Sequence, residues 1–205
     1  MPGMRIVSAV CTALLLSGSL CAPALAEQAP AASKAALPDA KPPETRQQRL
    51  DRLFADLKRE RNEKAAERIA NQIWQQWGDS GSASIDLMMQ WSQKAIEQQK
   101  FDVALDFLDQ VTTLQPGYAE GWNRRATVHY LMKNYAKSMA DIERTLRLEP
   151  RHFGAISGLA QIMADTGRKK AALDAWQRVL DIYPMMRSAQ QQVSSLSEEL
   201  TGEGI

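Results

Sequence analysis

Apolar residues recur along residues 85–186 with the spacing of amphipathic helices, and the arrangement repeats every 34 residues. Pro116, Pro150 and Pro184 mark that period, and the positions between them agree in size and polarity from unit to unit. These columns are Met88, Trp122 and Ile156; Ala104, Ser138 and Ala172; and Leu108, Ile142 and Trp176. Each unit is therefore predicted to hold two helices. Short turns separate the two helices, and a proline, which cannot donate the next backbone hydrogen bond, ends the second.

The clearest unit covers residues 119–152, which open with AEGWNRRA, carry Tyr135 at the turn and close with LRLEP. This unit resembles the tetratricopeptide repeat (TPR), whose 34-residue signature runs W-x2-L-G-x2-Y, a small residue, a bulky residue and Pro. Units 153–186 and 85–118 resemble it too. The resemblance implies an all-α, right-handed α-solenoid of helix-turn-helix repeats, three to four repeats long. In such a stack each repeat buries the apolar flank of the next.

Both ends of the stack are expected to be atypical. Residues 44–80 carry two apolar stripes but close on Gly78 instead of Pro, and are predicted to form a degenerate N-terminal hairpin repeat. Trp74 and Trp77 lie three residues apart on its second helix. They are read as core, with an exposed contact patch as the alternative. Residues 187–200 are predicted to form a capping helix behind the last repeat.

The first 26 residues have the pattern of a secretory signal peptide. Arg5 precedes a short apolar run, and Ala24 and Ala26 flank Leu25 in the small-x-small cleavage pattern. An uncleaved anchor is the alternative, although the run is short for a bilayer span. Residues 27–43, rich in Ala and Pro, are predicted to be a disordered linker. The expected location is the periplasm, with no stable membrane span after cleavage.

Composition excludes several functions. The chain has 25 Lys and Arg against 24 acidic residues, so no field for nucleic acid is expected. Both cysteines, Cys11 and Cys21, lie within the signal, which leaves no thiol for catalysis, disulfides or metal binding. No nucleophile–base pattern, phosphate loop, dinucleotide fingerprint or metal-ligand spacing is present. The chain is therefore predicted to be no enzyme and to hold no cofactor and no metal.

Several single residues carry specific expectations. Trp91, Trp122 and Trp176 occupy repeat columns and are expected in the core, as is His129, whereas His152 is expected to be solvated in a turn. Gly154 and Gly158 are expected to permit close helix packing. Arg125 replaces the apolar residue of its column. Its guanidinium either stacks over Trp91 or Trp122 or is kept for a partner's carboxylate.

In proteins of the TPR family the first helix of each hairpin lines a concave groove that holds a peptide or a partner helix. Carried to this register, the groove candidates are Met89, Gln93, Asn123, Arg124, Thr127, Tyr130, Gln161 and Asp165. Chaperone-binding members clamp a terminal carboxylate with Lys, Arg and Asn. Only Asn123 and Arg124 match that cluster here, which argues against such a ligand. The predicted function is a scaffold for a protein or peptide partner in the cell envelope. A self-assembling homo-oligomer, stacking through the first hairpin or Met185 and Met186, is the alternative.

Overall fold

The computed structural model describes residues 43–202, and this part of the chain forms helices without strands. The predicted signal peptide and residues 27–42 of the predicted linker lie outside the described residues. The helices are α1 (Arg46–Arg59), α2 (Glu63–Gly78), α3 (Ala83–Glu97), α4 (Phe101–Leu114), α5 (Ala119–Leu131), α6 (Tyr135–Leu148), α7 (Phe153–Asp165), α8 (Lys169–Ile182) and α9 (Arg187–Gly202).

Helices α3 to α8 pair as three hairpins, and the columns of the sequence form their contacts. Ala104, Ser138 and Ala172 are buried where the two helices of each hairpin meet, and Ser138 Oγ donates to the Ala126 carbonyl at 2.8 Å. Small side chains there let the helix backbones approach closely. Helix α9 closes the stack by burying Ala189 and Leu196 against α7 and α8. The all-α solenoid of helix-turn-helix repeats is confirmed.

The three turns inside the hairpins share one left-handed residue, again at a spacing of 34. Gln99, Lys133 and Gly167 have φ of 57°, 59° and 74°. Only glycine adopts this conformation without a steric cost, because it lacks a Cβ atom. Two of the three turns therefore retain a residue that is strained at this position.

Replacing the exposed Lys133 by glycine should relieve that strain. We expect Lys133→Gly to raise the free energy of unfolding by about 0.5–1 kcal/mol. The matched control is Lys137→Gly, at an exposed position inside α6, where glycine should cost about 1 kcal/mol. Urea unfolding of both variants checks the prediction, and two changes of the same sign would contradict it.

The first hairpin does not extend the stack ahead of α3, which differs from the expected succession of repeats. Leu57, Ile73 and Trp77 share one hydrophobic cluster with Phe153 and Tyr183, whereas α3 and α4 surround a separate core. The first hairpin thus lies along the edge of the stack that carries the loops between repeats, where the second helix of one repeat ends and the first helix of the next begins. Burial of its aromatic side chains against Phe153 and Tyr183 accounts for this placement.

Polar contacts fix the hairpin along this edge. Tyr118 Oη donates to the Gly78 carbonyl at 3.0 Å, and Gln115 Nε2 donates to the Ser80 carbonyl at 2.8 Å. Further out, Arg151 pairs with Asp51 at 2.7 Å. A fourth contact, between Arg187 and Glu63 at 2.7 Å, ties the start of α9 to the start of α2. These polar contacts therefore join the region of the first hairpin to the α4–α5 loop, the α6–α7 loop and the start of α9.

Three tryptophans that the repeat columns assign to the core have different outcomes. Trp176 is buried, as expected, and Trp122 is half-buried. The expectation for Trp91 is wrong, because its side chain is 47% exposed. The preceding repeat that should cover Trp91 is absent from that side of α3, since the first hairpin packs elsewhere.

Trp74 and Trp77 on α2 were expected either in the core or in an exposed contact patch. The core interpretation is confirmed: Trp77 is buried and Trp74 is half-buried against Phe153.

Within residues 43–202, no helix is long and apolar enough to cross a membrane.

Candidate functional site

The candidate groove is the face formed by the first helices of the hairpins, α3, α5 and α7. A cleft of about 640 Å³ between α3 and α5 is lined by Met89, Gln93 and Arg124 among others. A smaller cleft of about 130 Å³ between α5 and α7 is lined by Asn123, Thr127 and Tyr130. The remaining two candidates, Gln161 and Asp165, lie near the end of α7. The eight candidates therefore follow three successive helices.

Lys94 and Arg124 are the basic residues that line the larger cleft, and Arg124 is already paired within the chain. Arg124 Nη2 donates to Glu120 Oε1 at 3.0 Å, and its Nη1 donates to Gln93 Oε1 at 3.0 Å. Asn123 Nδ2 donates to the other oxygen of Glu120 at 2.9 Å. The Glu120 carboxylate thus accepts hydrogen bonds from the two residues that most resemble a carboxylate clamp. An incoming carboxylate would have to displace it.

A second polar cluster joins α5 to α7. Tyr130 Oη donates to Asp165 Oδ2 at 2.8 Å, Tyr135 Oη at 3.3 Å, and Gln161 Nε2 donates to Oδ1 at 2.8 Å. The hydrogen bond from Gln161, together with those from the two tyrosines, holds the pKa of Asp165 below its usual range despite partial desolvation. Burial and the hydrogen bond to Asp165 raise the pKa of Tyr130 to about 12. This end of the groove therefore presents an ionised carboxylate with its acceptor capacity largely used.

His152 is the residue whose role the sequence reasoning missed. Instead of being solvated, it is fully buried and caps α7: its Nδ1 accepts from the Ala155 N–H at 3.1 Å. Its Nε2 consequently carries the proton and donates to Glu120 Oε2 at 3.2 Å. The ring stacks on Trp77, with centroids 4.0 Å apart and planes 8° apart.

This contact links the first hairpin to the groove through Glu120. A sequence signal for it existed: His152 follows Tyr118 by one period, so a ring stands directly before a predicted first helix in both units. The structure shows that both rings are buried. The expectation for His129 is confirmed, since its ring is buried.

Burial would by itself raise the pKa of Glu120, but the His152 hydrogen bond and the charge of Arg124 lower it below 4.5 overall. A carboxylate with a lowered folded-state pKa contributes stability that is present above its unfolded pKa and is lost as pH falls. We therefore expect part of the stability to disappear as the pH falls below about 4.5, and Glu120→Gln to make the pH dependence shallower. Chemical unfolding of both proteins from pH 7 to pH 3 measures this. Parallel curves would contradict it.

Arg125 is occupied by its own chain. Its guanidinium lies 4.7 Å from the Trp122 ring centroid, which confirms the stacking expectation. It also forms a two-point contact with Asp141, at 2.8 and 2.7 Å, and reaches Asp109 at 2.7 Å. Such a bidentate pair satisfies most of the guanidinium's donors. The alternative, a guanidinium kept for a partner, finds no support.

Among residues 43–202, no group of three or more His, Cys, Asp and Glu side chains is arranged to hold a metal ion. The close-packing expectation holds for Gly154, where a Cβ would lie 2.6 Å from the Trp74 ring. It does not hold for Gly158, where a Cβ would lie 3.5 Å from Ile142, an ordinary contact distance. Trp74 therefore packs against the start of α7.

No family model matches the chain. A TPR repeat-containing protein of Rhizobium etli is 57% identical over 155 residues, which are 76% of this chain and 76% of that protein. The chain belongs to the tetratricopeptide-repeat family. A small glutamine-rich TPR protein of Saccharomyces cerevisiae is 27% identical over 117 residues, 57% of this chain and 34% of its own length.

Solved structures agree on the TPR fold. The first TPR domain of RPAP3, bound to the HSP90 peptide SRMEEVD, superposes with a TM-score of 0.55 at 20% identity. The superposition covers 58% of this chain and 95% of the RPAP3 domain. The TPR domain of Sgt2 from Aspergillus fumigatus has a TM-score of 0.56 at 15% identity, with 60% and 83% covered. As a TPR stack, the chain has the architecture of a protein–protein interaction scaffold.

Proposed function

We propose that this chain is a non-enzymatic, exported scaffold of the cell envelope that holds an extended segment of a partner protein in the groove formed by α3, α5 and α7. The observation that carries the proposal is the pair of clefts along three successive first helices. Their candidate residues combine amides, hydroxyls, Met89 and Tyr130. Amide and hydroxyl side chains can hydrogen-bond an extended peptide backbone whatever its sequence.

Two solved TPR domains with a similar fold support a peptide occupant. The first TPR domain of RPAP3 is bound to an HSP90 peptide, and the TPR2B domain of yeast Sti1 is in complex with an Hsp70 peptide. Here the ligand is expected to bind through its backbone and not through a chain-terminal carboxylate. The reason is that Arg124 and Asn123 already donate hydrogen bonds to the Glu120 carboxylate. A peptide with an amidated C-terminus should therefore bind as tightly as the same peptide with a free one.

Export is supported by residues 1–26 and by the absence of cysteine after them. The test is mass spectrometry of the chain recovered from periplasmic and cytoplasmic fractions. Processing after Ala26, with the chain in the periplasmic fraction, is expected. An intact N-terminus in the cytoplasm would overturn this part of the proposal while leaving the groove unaffected.

The groove is tested with a photo-crosslinking amino acid at exposed Thr127 on α5, compared with one at exposed Glu143 on α6. We expect one defined partner to be captured from Thr127 only. A peptide from that partner should then bind the purified chain and bind more weakly to Gln93→Ala. Equal capture from both positions, or a captured protein whose peptides do not bind, would count against the groove.

A further inference from the structure

The open end of the repeat stack presents an apolar surface with no covering helix among the described residues. This α3–α4 end face consists of Leu87 and Trp91 on α3 and Val103 and Phe107 on α4. Three of its side chains are more than 40% exposed, and the rings of Trp91 and Phe107 lie 5.4 Å apart. A hollow of about 430 Å³ lies beside these rings. A contiguous apolar surface of this kind marks an interaction site.

The repeat itself shows what this face is shaped to contact. One period later, Trp91 and Phe107 correspond to Arg125 and Asp141, which form an ion pair with each other. Arg125 also reaches Asp109 across the junction with the preceding hairpin. The residue at the Trp91 position therefore packs against the second helix of the preceding repeat, and it pairs with the residue at the Phe107 position. At the end face no preceding repeat lies against α3 and α4 among the described residues. The two positions there carry the aromatic rings of Trp91 and Phe107, whereas the next repeat carries a charged pair at the same positions.

The charges at the two margins of the end face are opposite. Helical spacing places Lys94 beside Trp91 on the side away from buried Met88 and Ala95. It places Asp106 beside Phe107 on the side away from the buried residues of α4. Neither Lys94 nor Asp106 has an ion pair or a hydrogen-bonded side-chain partner in the part of the chain that the structure describes.

We propose that the α3–α4 end face binds the same face of a second copy of this chain, which makes a two-fold symmetric dimer. An axis parallel to the helices and between them sets α3 of one copy opposite α4 of the other. Trp91 then meets the partner's Phe107, and the Lys94 margin meets the partner's Asp106 margin, twice per dimer. An axis across the helices would instead set lysine against lysine and aspartate against aspartate. The charge pattern therefore selects both the occupant and its orientation.

The two surfaces that the sequence suggested for self-assembly are already used within the chain. The first hairpin packs against the inter-repeat edge, and Met185 and Met186 are partly buried against the cluster around α7 and α8. The end face is thus a different surface from either.

The test is sedimentation and light scattering of the chain as isolated from cells, over a concentration series from micromolar to millimolar. We expect a monomer–dimer equilibrium. Lys94→Glu and Asp106→Lys should each weaken dimerisation by about ten-fold, because each puts like charges opposite one another. The double variant Lys94→Glu/Asp106→Lys restores opposite charges and should dimerise within about three-fold of the unmodified chain.

Trp91→Ala should abolish the dimer, while Leu131→Ala, at a residue that is 45% exposed at the end of α5 and therefore outside the end face, should leave it intact. Circular dichroism and the melting temperature verify that each variant is folded. A strict monomer at every concentration overturns the proposal. A dimer that tolerates Trp91→Ala, or a charge swap that fails to restore association, also overturns it by assigning the contact to another surface.

Discussion

Replacing His152 by alanine is expected to lower the free energy of unfolding by about 3–5 kcal/mol, a large part of the stability of a domain of this size. Three losses combine. The buried Glu120 carboxylate loses one of its hydrogen-bond partners, α7 loses its N-terminal cap, and Trp77 loses the ring stacked upon it. Urea unfolding followed by circular dichroism measures the change.

His129→Ala is the matched control for this prediction. His129 is also buried, but its Nδ1 makes no hydrogen bond within residues 43–202 and it stacks on no aromatic ring there. We expect it to cost less than half as much. His152→Asn, which keeps a capping acceptor, should fall between the two. If His129→Ala proved the more damaging, the link between the first hairpin and Glu120 would not be a principal source of stability.

The second large effect concerns two glycines one helical turn apart. Gly154→Ala should destabilise the chain by about 2–3 kcal/mol, because the new Cβ would lie 2.6 and 2.9 Å from two atoms of the Trp74 ring. The ring is held by Trp77, His152 and Phe153, so it cannot withdraw without disturbing them. The first hairpin should loosen before the repeats do.

Gly158→Ala provides the opposite expectation on the same helix. Its Cβ would meet Ile142 at 3.5 Å, an ordinary contact, and alanine favours the helix over glycine by about 1 kcal/mol. We expect a neutral to stabilising change. Thermal melts should therefore separate the two variants by several degrees, and the tryptophan emission should shift only in Gly154→Ala. Equal behaviour of the two would show that Trp74 does not restrain α7.

The repeats could be predicted from the sequence because their contacts are local and recur. The column of Ala104, Ser138 and Ala172 is sufficient to place two helices of a hairpin against each other, and the 34-residue period then orders the hairpins. Position in the sequence also suggested that residues 44–80 would precede α3 in the stack. No pattern within residues 44–80 contradicts that order. The contacts that decide the actual placement, those of Trp77 with His152 and Phe153, join residues far apart in the chain.

The site was predictable to the same degree. The register identifies which side chains lie on the groove face, but not whether their charges are free. Arg124 has the correct position for binding a carboxylate, and only the structure shows that Glu120 holds it. Trp91 was assigned to the core for a related reason: the column predicts a packing position, while burial also requires a neighbour to fill it.

The placement of the first hairpin changes how this protein should respond to truncation. In a simple solenoid each unit communicates with its immediate neighbours alone, so shortening one terminus leaves the other unaffected. Here Arg151 and Arg187 reach Asp51 and Glu63 across 100 and 124 residues. Loss of α9 is therefore expected to affect α1 and α2 as well, and the two ends of residues 43–202 should melt in a single cooperative step.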